Sequence, residues 1–251
     1  MELELKTYLS DNLKELGLSV EEIHIELIEL LYDEMIAYNA HTNLTRITDA
    51  REFIDKHILD SLSSIKAFDK DSFDKELKII DIGTGAGFPA LPLWFFFKNW
   101  NFMLIDSSRK KINFIEEFLQ KAEEKFEFLN LDNIHVMSIR AEDLAREKEH
   151  REKYDIVINR AVSKLVSVIE LSMPFLKVNG NFIAMKSFEV EDEILESKKV
   201  LIETGGKLSE NIKFELLNTG LKRSFVIIKK FKVSSSNYPR RTGLAQNNPI
   251  I

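Results

Sequence analysis

The stretch LKIIDIGTGAG, residues 77–87, decides how the chain is organised, because it joins an apolar run to a glycine-rich turn. Its isoleucine-rich half is typical of a buried strand, and the strand is followed by Gly83, Gly85 and Gly87. Glycine lacks a Cβ and tolerates positive φ, so the backbone of such a turn can approach a ligand closely. The stretch therefore predicts a ligand site at the end of a buried strand. The plainer interpretation is a turn that only reverses the chain.

Two aspartates flank this turn. Asp106 ends a second strand-like run, residues 101–105, at the distance of about 20 residues that brings a carboxylate to the ribose of a bound nucleotide. The GxGxG spacing differs from the GxGxxG of dinucleotide sites, where a pyrophosphate prefers a helix N-terminus. Asp81 adds negative charge just before the glycines, which suits the sulfonium and ammonium groups of S-adenosylmethionine (SAM). We therefore expect SAM as the cofactor, with NAD or a flavin as the alternative.

The composition is that of an ordinary globular protein, with 251 residues, 44% of them hydrophobic and 30% charged. No run approaches the ~20 apolar residues of a membrane span, and the N-terminus lacks a secretory signal, so we expect a cytoplasmic protein. The absence of cysteine excludes disulfides and thiolate chemistry, and we expect no metal. A net charge of −6 means that a nucleic acid would have to meet a local basic patch. We expect a monomer.

The periodicity of the chain divides it into three parts. Residues 1–68 are predicted to form an N-terminal helical extension, with capping boxes at Ser19/Glu22 and Asp49/Glu52 and a loop at residues 38–46. Residues 69–233 are predicted to form the ligand-binding core. Residues 234–251 form a C-terminal basic tail that follows a serine-rich tether.

Strands and helices alternate in the core, which predicts a mostly parallel α/β sheet flanked by helices. The predicted strands are residues 77–82, 101–105, 134–139, 154–158 and 181–185. The predicted helices are residues 88–98, 108–124, 142–148, 165–176 and 191–203, with Gly180 in a turn between helix and strand. Residues 213–217 and 224–230, joined at Thr219–Gly220, are predicted to form an antiparallel hairpin at the edge of the sheet.

Five motifs together resemble those of one family. In chain order they are NLT at 43–45, HILDS at 57–61, IDIGTGAGFPALPL at 80–93, NRA at 159–161 and YPRRTG at 238–243. On these motifs the chain is similar to the RsmG (GidB) family of bacterial SAM-dependent methyltransferases, which act on the N7 of a guanine in 16S rRNA of the small ribosomal subunit. The resemblance covers nearly the whole chain and implies a Rossmann-like SAM-dependent methyltransferase sheet behind the N-terminal helical extension.

The chain departs from the family pattern at two positions. Ala90 stands where the family usually has a second glycine after Phe–Pro, and Ser187 follows Lys186 where a glycine is common. The serine puts in doubt how closely the backbone of a substrate can approach that strand end.

The resemblance also implies a set of cofactor contacts. It places Gly83, Gly85, Gly87 and Phe88 at the glycine turn, Asp106 and Ser108 at the ribose, Ala141 and Glu142 by the adenine, and Arg160 in the crevice. Glu142 has an alternative role as a residue in the first turn of a helix, where the helix dipole favours a carboxylate. Arg160 could instead be a solvated or salt-bridged arginine.

The substrate contacts implied by the resemblance are Asn159, Lys186, Arg240 and Arg241. The two arginines of the tail are expected to contact phosphate and to become ordered on the substrate; the alternative is a frayed terminus. For His57 we favour a packing role between the helical extension and the sheet. Because guanine N7 carries a free lone pair, the resemblance requires no catalytic acid or base, and catalysis reduces to positioning.

Two other functions fit the same sequence. One is a SAM-dependent methyltransferase of a small molecule or a protein, which the acidic net charge favours. The other is a SAM-binding module without catalytic activity. The basic clusters at 109–111, 198–199 and 222–223 are alternative RNA contacts, although for each cluster taken singly we favour a solvated face.

Overall fold

A computed structural model describes residues 1–160 and 163–251 of the chain. The N-terminal part contains α1 (Leu3–Glu15), α2 (Glu22–Thr42) and α3 (Ala50–Phe53). The last of these continues as a π-helical turn (Ile54–Leu59), α4 (Asp60–Leu62) and 3₁₀ turns at Ser63–Ala67 and Lys70–Ser72. Within the ranges described, no helix has the length and apolar character needed to cross a membrane.

Seven strands form one sheet in the order β3-β2-β1-β4-β5-β7-β6. The strands are β1 (Lys78–Ile82), β2 (Asn101–Asp106), β3 (Ile134–Ser138), β4 (Tyr154–Arg160), β5 (Leu176–Ser187), β6 (Gly206–Leu216) and β7 (Leu221–Lys230). The first five are parallel to one another, and β7 is antiparallel to β5 and β6. This arrangement confirms the predicted α/β sheet and its C-terminal antiparallel hairpin.

The helices that follow the strands are α5 (Ala90–Phe96), α6 (Arg109–Lys125), α7 (Ala141–Leu144), α8 (Leu165–Ser172), α9 (Glu191–Glu196), α10 (Lys198–Thr204) and α11 (Leu244–Asn247). A 3₁₀ turn at Met173–Phe175 joins α8 to β5. The chain runs outward from β1 to β3 and then returns to β4 on the other side of β1. Open α/β sheets bind ligands at the carboxyl edge where this change of direction occurs.

Each face of the sheet carries its own hydrophobic core. The N-terminal helices pack on one face, where Leu31 of α2 belongs to the same buried cluster as Ile79 and Phe102 of the sheet. The opposite face is covered by α8, α10 and part of the C-terminal segment, including Ala245. The N-terminal extension therefore shares a continuous core with the sheet.

Two local predictions in the N-terminal helices were wrong. The helix α2 is capped by Glu21, whose backbone N–H donates to Nδ1 of His24 at 3.0 Å, and not by Ser19 with Glu22. His24 is positioned for this because its ring stacks on Phe96, 4.2 Å away, which a local pattern cannot reveal. The helix also continues to Thr42, into the predicted loop. The Asp49 cap is confirmed, since its carboxylate accepts from the Glu52 N–H at 2.8 Å.

Two predictions in the second half also need correction. Gly180 lies inside β5, where a Cβ would be 2.8 Å from the carbonyl oxygen of Asp155 in the neighbouring strand. Because Gly180 lacks a Cβ, β5 can approach the neighbouring strand closely, and the residue does not form the predicted turn. The predicted helix at 191–203 is divided at Ser197, which is buried and donates its hydroxyl to the Glu193 carbonyl.

If the N-terminal helices share the core of the sheet, Leu31→Ala will destabilise the whole protein. Leu31 is fully buried, so we expect a loss of about 2–5 kcal/mol in the free energy of unfolding, in one cooperative transition. Urea denaturation followed by tryptophan fluorescence and circular dichroism measures it. Leu3→Ala is the control, since Leu3 is 81% exposed, and it should change little. A separate early transition in Leu31→Ala would contradict a shared core.

Candidate active site

The glycine turn after β1 is tied to the end of β2. The N–H groups of Gly83 and Thr84 both donate to the Ile105 carbonyl, at 2.8 and 3.0 Å. Gly85 has φ +64°, and a Cβ on it would meet nothing within 4 Å, since this residue faces an open cavity. Gly87 has φ +92°, and a Cβ there would lie 2.3 Å from Cδ1 of Leu91. Gly85 therefore leaves space for a ligand, whereas Gly87 allows the turn to pack on α5.

Asp81 lies behind the turn. Its carboxylate is buried and accepts hydrogen bonds from the Thr84 hydroxyl at 2.7 Å and from the Ala90 N–H at 3.3 Å. Burial raises the pKa of Asp81 to about 7. The residue holds the turn against the start of α5 and does not line the cavity. We expected Asp81 to bring negative charge to the ligand site, whereas the structure places its carboxylate behind the turn.

A cavity of about 430 Å³ opens in front of the turn, within the size range of cofactor sites. Seven residues expected at the cofactor line it: Gly83, Gly85, Phe88, Asp106, Ala141, Glu142 and Arg160. Six other expected site residues do not: Gly87, Ser108, Asn159, Lys186, Arg240 and Arg241. Residues that sequence reasoning missed also line it, among them Thr45, Ser107, Lys111 and Gln246.

Asp106 stands at the carboxyl end of β2 and is almost completely buried. Its carboxylate accepts from the N–H groups of Gly85 at 3.1 Å and Ser108 at 2.9 Å, and Lys111 Nζ lies 3.3 Å away. Ser108 thus acts through its backbone, and its neighbour Ser107 faces the cavity. A carboxylate offers about four lone-pair directions, so Asp106 keeps the capacity to accept a ligand hydroxyl.

Arg160, the last residue of β4, is held by the N-terminal extension. One nitrogen, Nη1, donates to the Lys56 carbonyl at 2.8 Å and to Asp60 at 3.1 Å, while Nη2 lies 3.0 Å from His57 Nδ1. Asp60 is buried and also accepts from Arg223 at 2.6 Å. Burial lowers the pKa of Arg160, and the contact with Asp60 opposes that shift. Arg160 is therefore a salt-bridged side chain that still lines the cavity.

His57 packs between the N-terminal extension and the glycine turn. Its ring stacks on Phe88, with centroids 4.4 Å apart and planes 10° apart. Burial, together with the neighbouring Arg160 charge, lowers the pKa of His57 to about 3, so the ring is neutral at physiological pH. Since Nδ1 faces the Arg160 donor, the ring proton is on Nε2. The expected packing role is confirmed.

A second cavity of about 600 Å³ shares His57 and Arg160 with the first. Four cationic side chains line it, namely Lys56, Arg160, Lys186 and Arg223, together with the carboxylate of Asp60. Lys186 Nζ is held by the Ser163 carbonyl at 2.9 Å and Glu193 at 2.8 Å. Ser187, the departure from the family pattern, lies on the rim of this cavity.

The remaining expected substrate residues have other surroundings. Asn159 is buried in β4 and lines neither cavity, and Ala161 of the same motif lies outside the described residues. Arg240 forms a bidentate ion pair with Glu170, at 3.0 and 2.7 Å, whereas Arg241 is exposed. The tail is thus docked on the core through Arg240, which corrects the expectation that this guanidinium awaits phosphate.

Titratable side chains are not arranged for metal binding in the part of the chain that the structure describes. No group of three or more His, Cys, Asp or Glu side chains there could hold a metal ion.

The last two glycines of the turn, Gly85 and Gly87, should respond differently to an added methyl group. Gly85→Ala puts a Cβ into the cavity, so we expect SAM affinity to fall at least about tenfold while the strained φ costs ~1–2 kcal/mol of stability. Gly87→Ala forces a Cβ against buried Leu91, so this variant should lose mainly stability. We expect ~1–3 kcal/mol from this contact in addition to the cost of the strained φ. Calorimetry and thermal denaturation measure the two effects. Unchanged SAM affinity in Gly85→Ala would show that Gly85 serves only to form the turn and does not leave space for the cofactor.

Asp81 should make stability depend on pH. The folded protein keeps a proton up to about pH 7, whereas the unfolded chain releases it near 3.8. Its stabilising effect is therefore complete below pH ~4 and is lost as pH rises to 7, by up to about 1.4 kcal/mol per pH unit. Relative to Asp81→Asn, the wild type should thus lose stability steadily across this range in urea denaturation. A difference that does not vary with pH would contradict the raised pKa.

Comparison with known proteins identifies the family to which the chain belongs. The family model for GidB, rRNA small subunit methyltransferase G, matches residues 24–223. A ribosomal RNA small subunit methyltransferase G from Lachnoclostridium phytofermentans is 41% identical over 239 residues, 95% of each chain, and one from Thermoanaerobacter sp. is 38% identical over 96% of this chain and 97% of that protein. A SAM-dependent methyltransferase structure from Aquifex aeolicus shares the fold, with TM-score 0.52 and 16% identity over 74% of this chain and 96% of that one. The chain belongs to the GidB family of rRNA small subunit methyltransferases.

Proposed function

We propose that this protein transfers the methyl group of SAM to the N7 of a guanine in 16S rRNA of the small ribosomal subunit. The observation that carries the proposal is a cofactor-sized cavity joined to a basic cavity through Arg160 and His57. Membership of the family supplies the substrate class, because the relatives are named as ribosomal RNA small subunit methyltransferases.

The residues of the first cavity fit SAM. Gly83 and Gly85 leave room for the cofactor to approach the backbone, and Asp106 can accept a hydrogen bond from a ribose hydroxyl. Glu142 lies beyond β3, the strand next to β2, where the adenine of a nucleotide bound through Asp106 would lie. When bound, SAM supplies a methyl group activated by the sulfonium.

The second cavity fits the acceptor nucleotide. Its lining carries four cations and one carboxylate. Two of the cations pair with carboxylates outside the lining, Lys56 with Glu52 and Lys186 with Glu193, so a small local positive excess remains in a protein whose net charge is −6. Such a local patch can attract the phosphates of RNA. Because both cavities share Arg160 and His57, a base held in the second lies next to the cofactor, beside these two side chains. We assign Lys186 to this cavity as a substrate contact and keep exposed Arg241 as a further candidate.

The chemistry makes modest demands on the protein. The N7 lone pair forms the new N–C bond, the C–S bond breaks, and its electron pair returns to sulfur, so no proton has to leave N7. His57, with a pKa near 3, is neutral and is not needed as a base. The protein's task is to hold the reacting atoms in line, an effect that supplies up to ~7–11 kcal/mol in well-oriented reactions.

The proposal is tested by methyl transfer from labelled SAM to purified small ribosomal subunits, naked rRNA and a protein extract. We expect label in 16S rRNA, recovered as 7-methylguanosine after digestion and mass spectrometry. Label recovered in protein or in small molecules, with none in rRNA, would contradict it.

Lys186→Ala should distinguish the function of the second cavity from that of the first. Lys186 lines the second cavity and not the first, so methyl transfer to rRNA should fall about five- to a hundredfold while SAM affinity stays within twofold. Methylation at several RNA concentrations, with calorimetry of SAM binding, measures both. Lys207→Ala, an exposed lysine in β6 outside the basic clusters, is the control. A loss of SAM affinity equal to the loss of methylation would show that the second cavity is not an independent acceptor site.

A further inference from the structure

We propose that residues 238–248 hold Gln246 at the wall of the cofactor cavity, that Gln246 contacts the adenine of the bound cofactor, and that Arg240 positions Gln246. The inference rests on the SAM site proposed above but not on the RNA substrate. The tail was expected to meet RNA, and its contacts point instead to the cofactor.

Gln246 has both the position and the chemical groups for a contact with adenine. It lies on α11 and lines the first cavity together with Glu142. Its side chain is exposed at this open site, and the described residues provide no hydrogen-bond partner for its amide. A glutamine amide offers both a donor and an acceptor, which match the amino group and ring nitrogens of an adenine edge. Gln246 is therefore able to distinguish adenine from a base with a different edge.

The segment is joined to the adenine side of the cavity by a direct contact. The N–H of Gly243, just before α11, donates to Oε1 of Glu142 at 2.9 Å. Asp106 marks the expected ribose position at the end of β2, and Glu142 follows the adjacent strand β3. The base of a nucleotide seated on Asp106 thus lies toward Glu142 and Gln246.

Arg240 anchors the segment to the core. Its Nε and Nη2 donate to the two oxygens of Glu170, and Glu170 is only 1% exposed. The same Nη2 reaches the Asn248 carbonyl at 2.8 Å, so one guanidinium holds both α8 and the end of α11. Removal of Arg240 would leave a buried carboxylate without its ionic partner, a strongly unfavourable state. The position of Gln246 therefore depends on this ion pair.

The chain leading to Arg240 is fixed as well. Arg146 donates to the Pro239 carbonyl at 2.7 Å, and Arg151 donates to the carbonyls of Ser234, Ser235 and Tyr238. After Arg240, Ala245 is buried in the core on the α8 face of the sheet. These contacts fix the segment to the core, and Gln246 is its residue in the lining of the cavity.

Calorimetry with S-adenosylhomocysteine, without RNA, tests the proposal. Gln246→Ala should weaken binding about fivefold or more, and its neighbour Asn247→Ala should stay within twofold. The loss in Gln246→Ala should be equal for 5′-methylthioadenosine, which keeps the adenosine but lacks the amino-acid end. Unchanged affinity, or a loss for S-adenosylhomocysteine alone, would overturn the adenine contact.

A double-mutant cycle tests the role of Arg240. Arg240→Ala should weaken binding about as much as Gln246→Ala, and the double variant should lose little more, because both remove the same contact. Arg240→Lys keeps the charge and should recover part of the affinity, whereas exposed Arg241→Ala should bind normally. Additive losses would show that Arg240 does not act through Gln246. Failure of the wild type to bind S-adenosylhomocysteine would instead overturn the proposed cofactor, and activity on a different substrate would leave this inference intact.

Discussion

The parallel pairing of β1 with both β2 and β4 is the constraint on which the site depends. It places Ile82 opposite Ile105 and Asp81 opposite Ile158, so the glycine turn, Asp106 and Arg160 all meet at one edge of the sheet. Parallel strands require helical crossovers that cover both faces, and the edge is left open for a ligand. The cofactor cavity is a consequence of this topology, and the side chains at the edge determine what the cavity can bind.

The N-terminal extension holds two of the arginines at this edge through Asp60. This buried carboxylate accepts from Arg160 at the end of β4 and from Arg223 in β7, so it links the helical extension to two strands. The π-helical turn before it exposes the Lys56 carbonyl, which takes a further hydrogen bond from Arg160. Because Arg160 lines both cavities, its orientation sets the boundary between the proposed cofactor and acceptor sites.

The sequence predicts the features that depend on local pattern. The strands around Gly83–Gly87, the placement of Asp106 at the end of β2 and of Arg160 at the end of β4, and the terminal hairpin all follow from apolar periodicity and turn residues. Features that depend on pairs of distant residues were not predictable. Glu170 and Arg240 are 70 positions apart, and nothing near either one signals their ion pair.

The inward orientation of Asp81 illustrates the same limit. From the sequence, a carboxylate beside three glycines suggests a ligand site, but the Thr84 hydroxyl in the turn and the Ala90 N–H at the start of α5 donate hydrogen bonds to it. The buried orientation of the Asp81 side chain is favoured because its carboxylate accepts these two hydrogen bonds. Only the three-dimensional path of α5 reveals this orientation. The docked tail is a second example, since a serine-rich, doubly basic terminus has the composition of a mobile segment.

The most direct test of this account is a crystal structure of the protein with S-adenosylhomocysteine. The account predicts that the ligand fills the cavity in front of Gly83 and Gly85, with its ribose hydroxyls within ~3.2 Å of the Asp106 carboxylate. A ligand bound elsewhere on the protein, or one seated with its ribose away from Asp106, would contradict it.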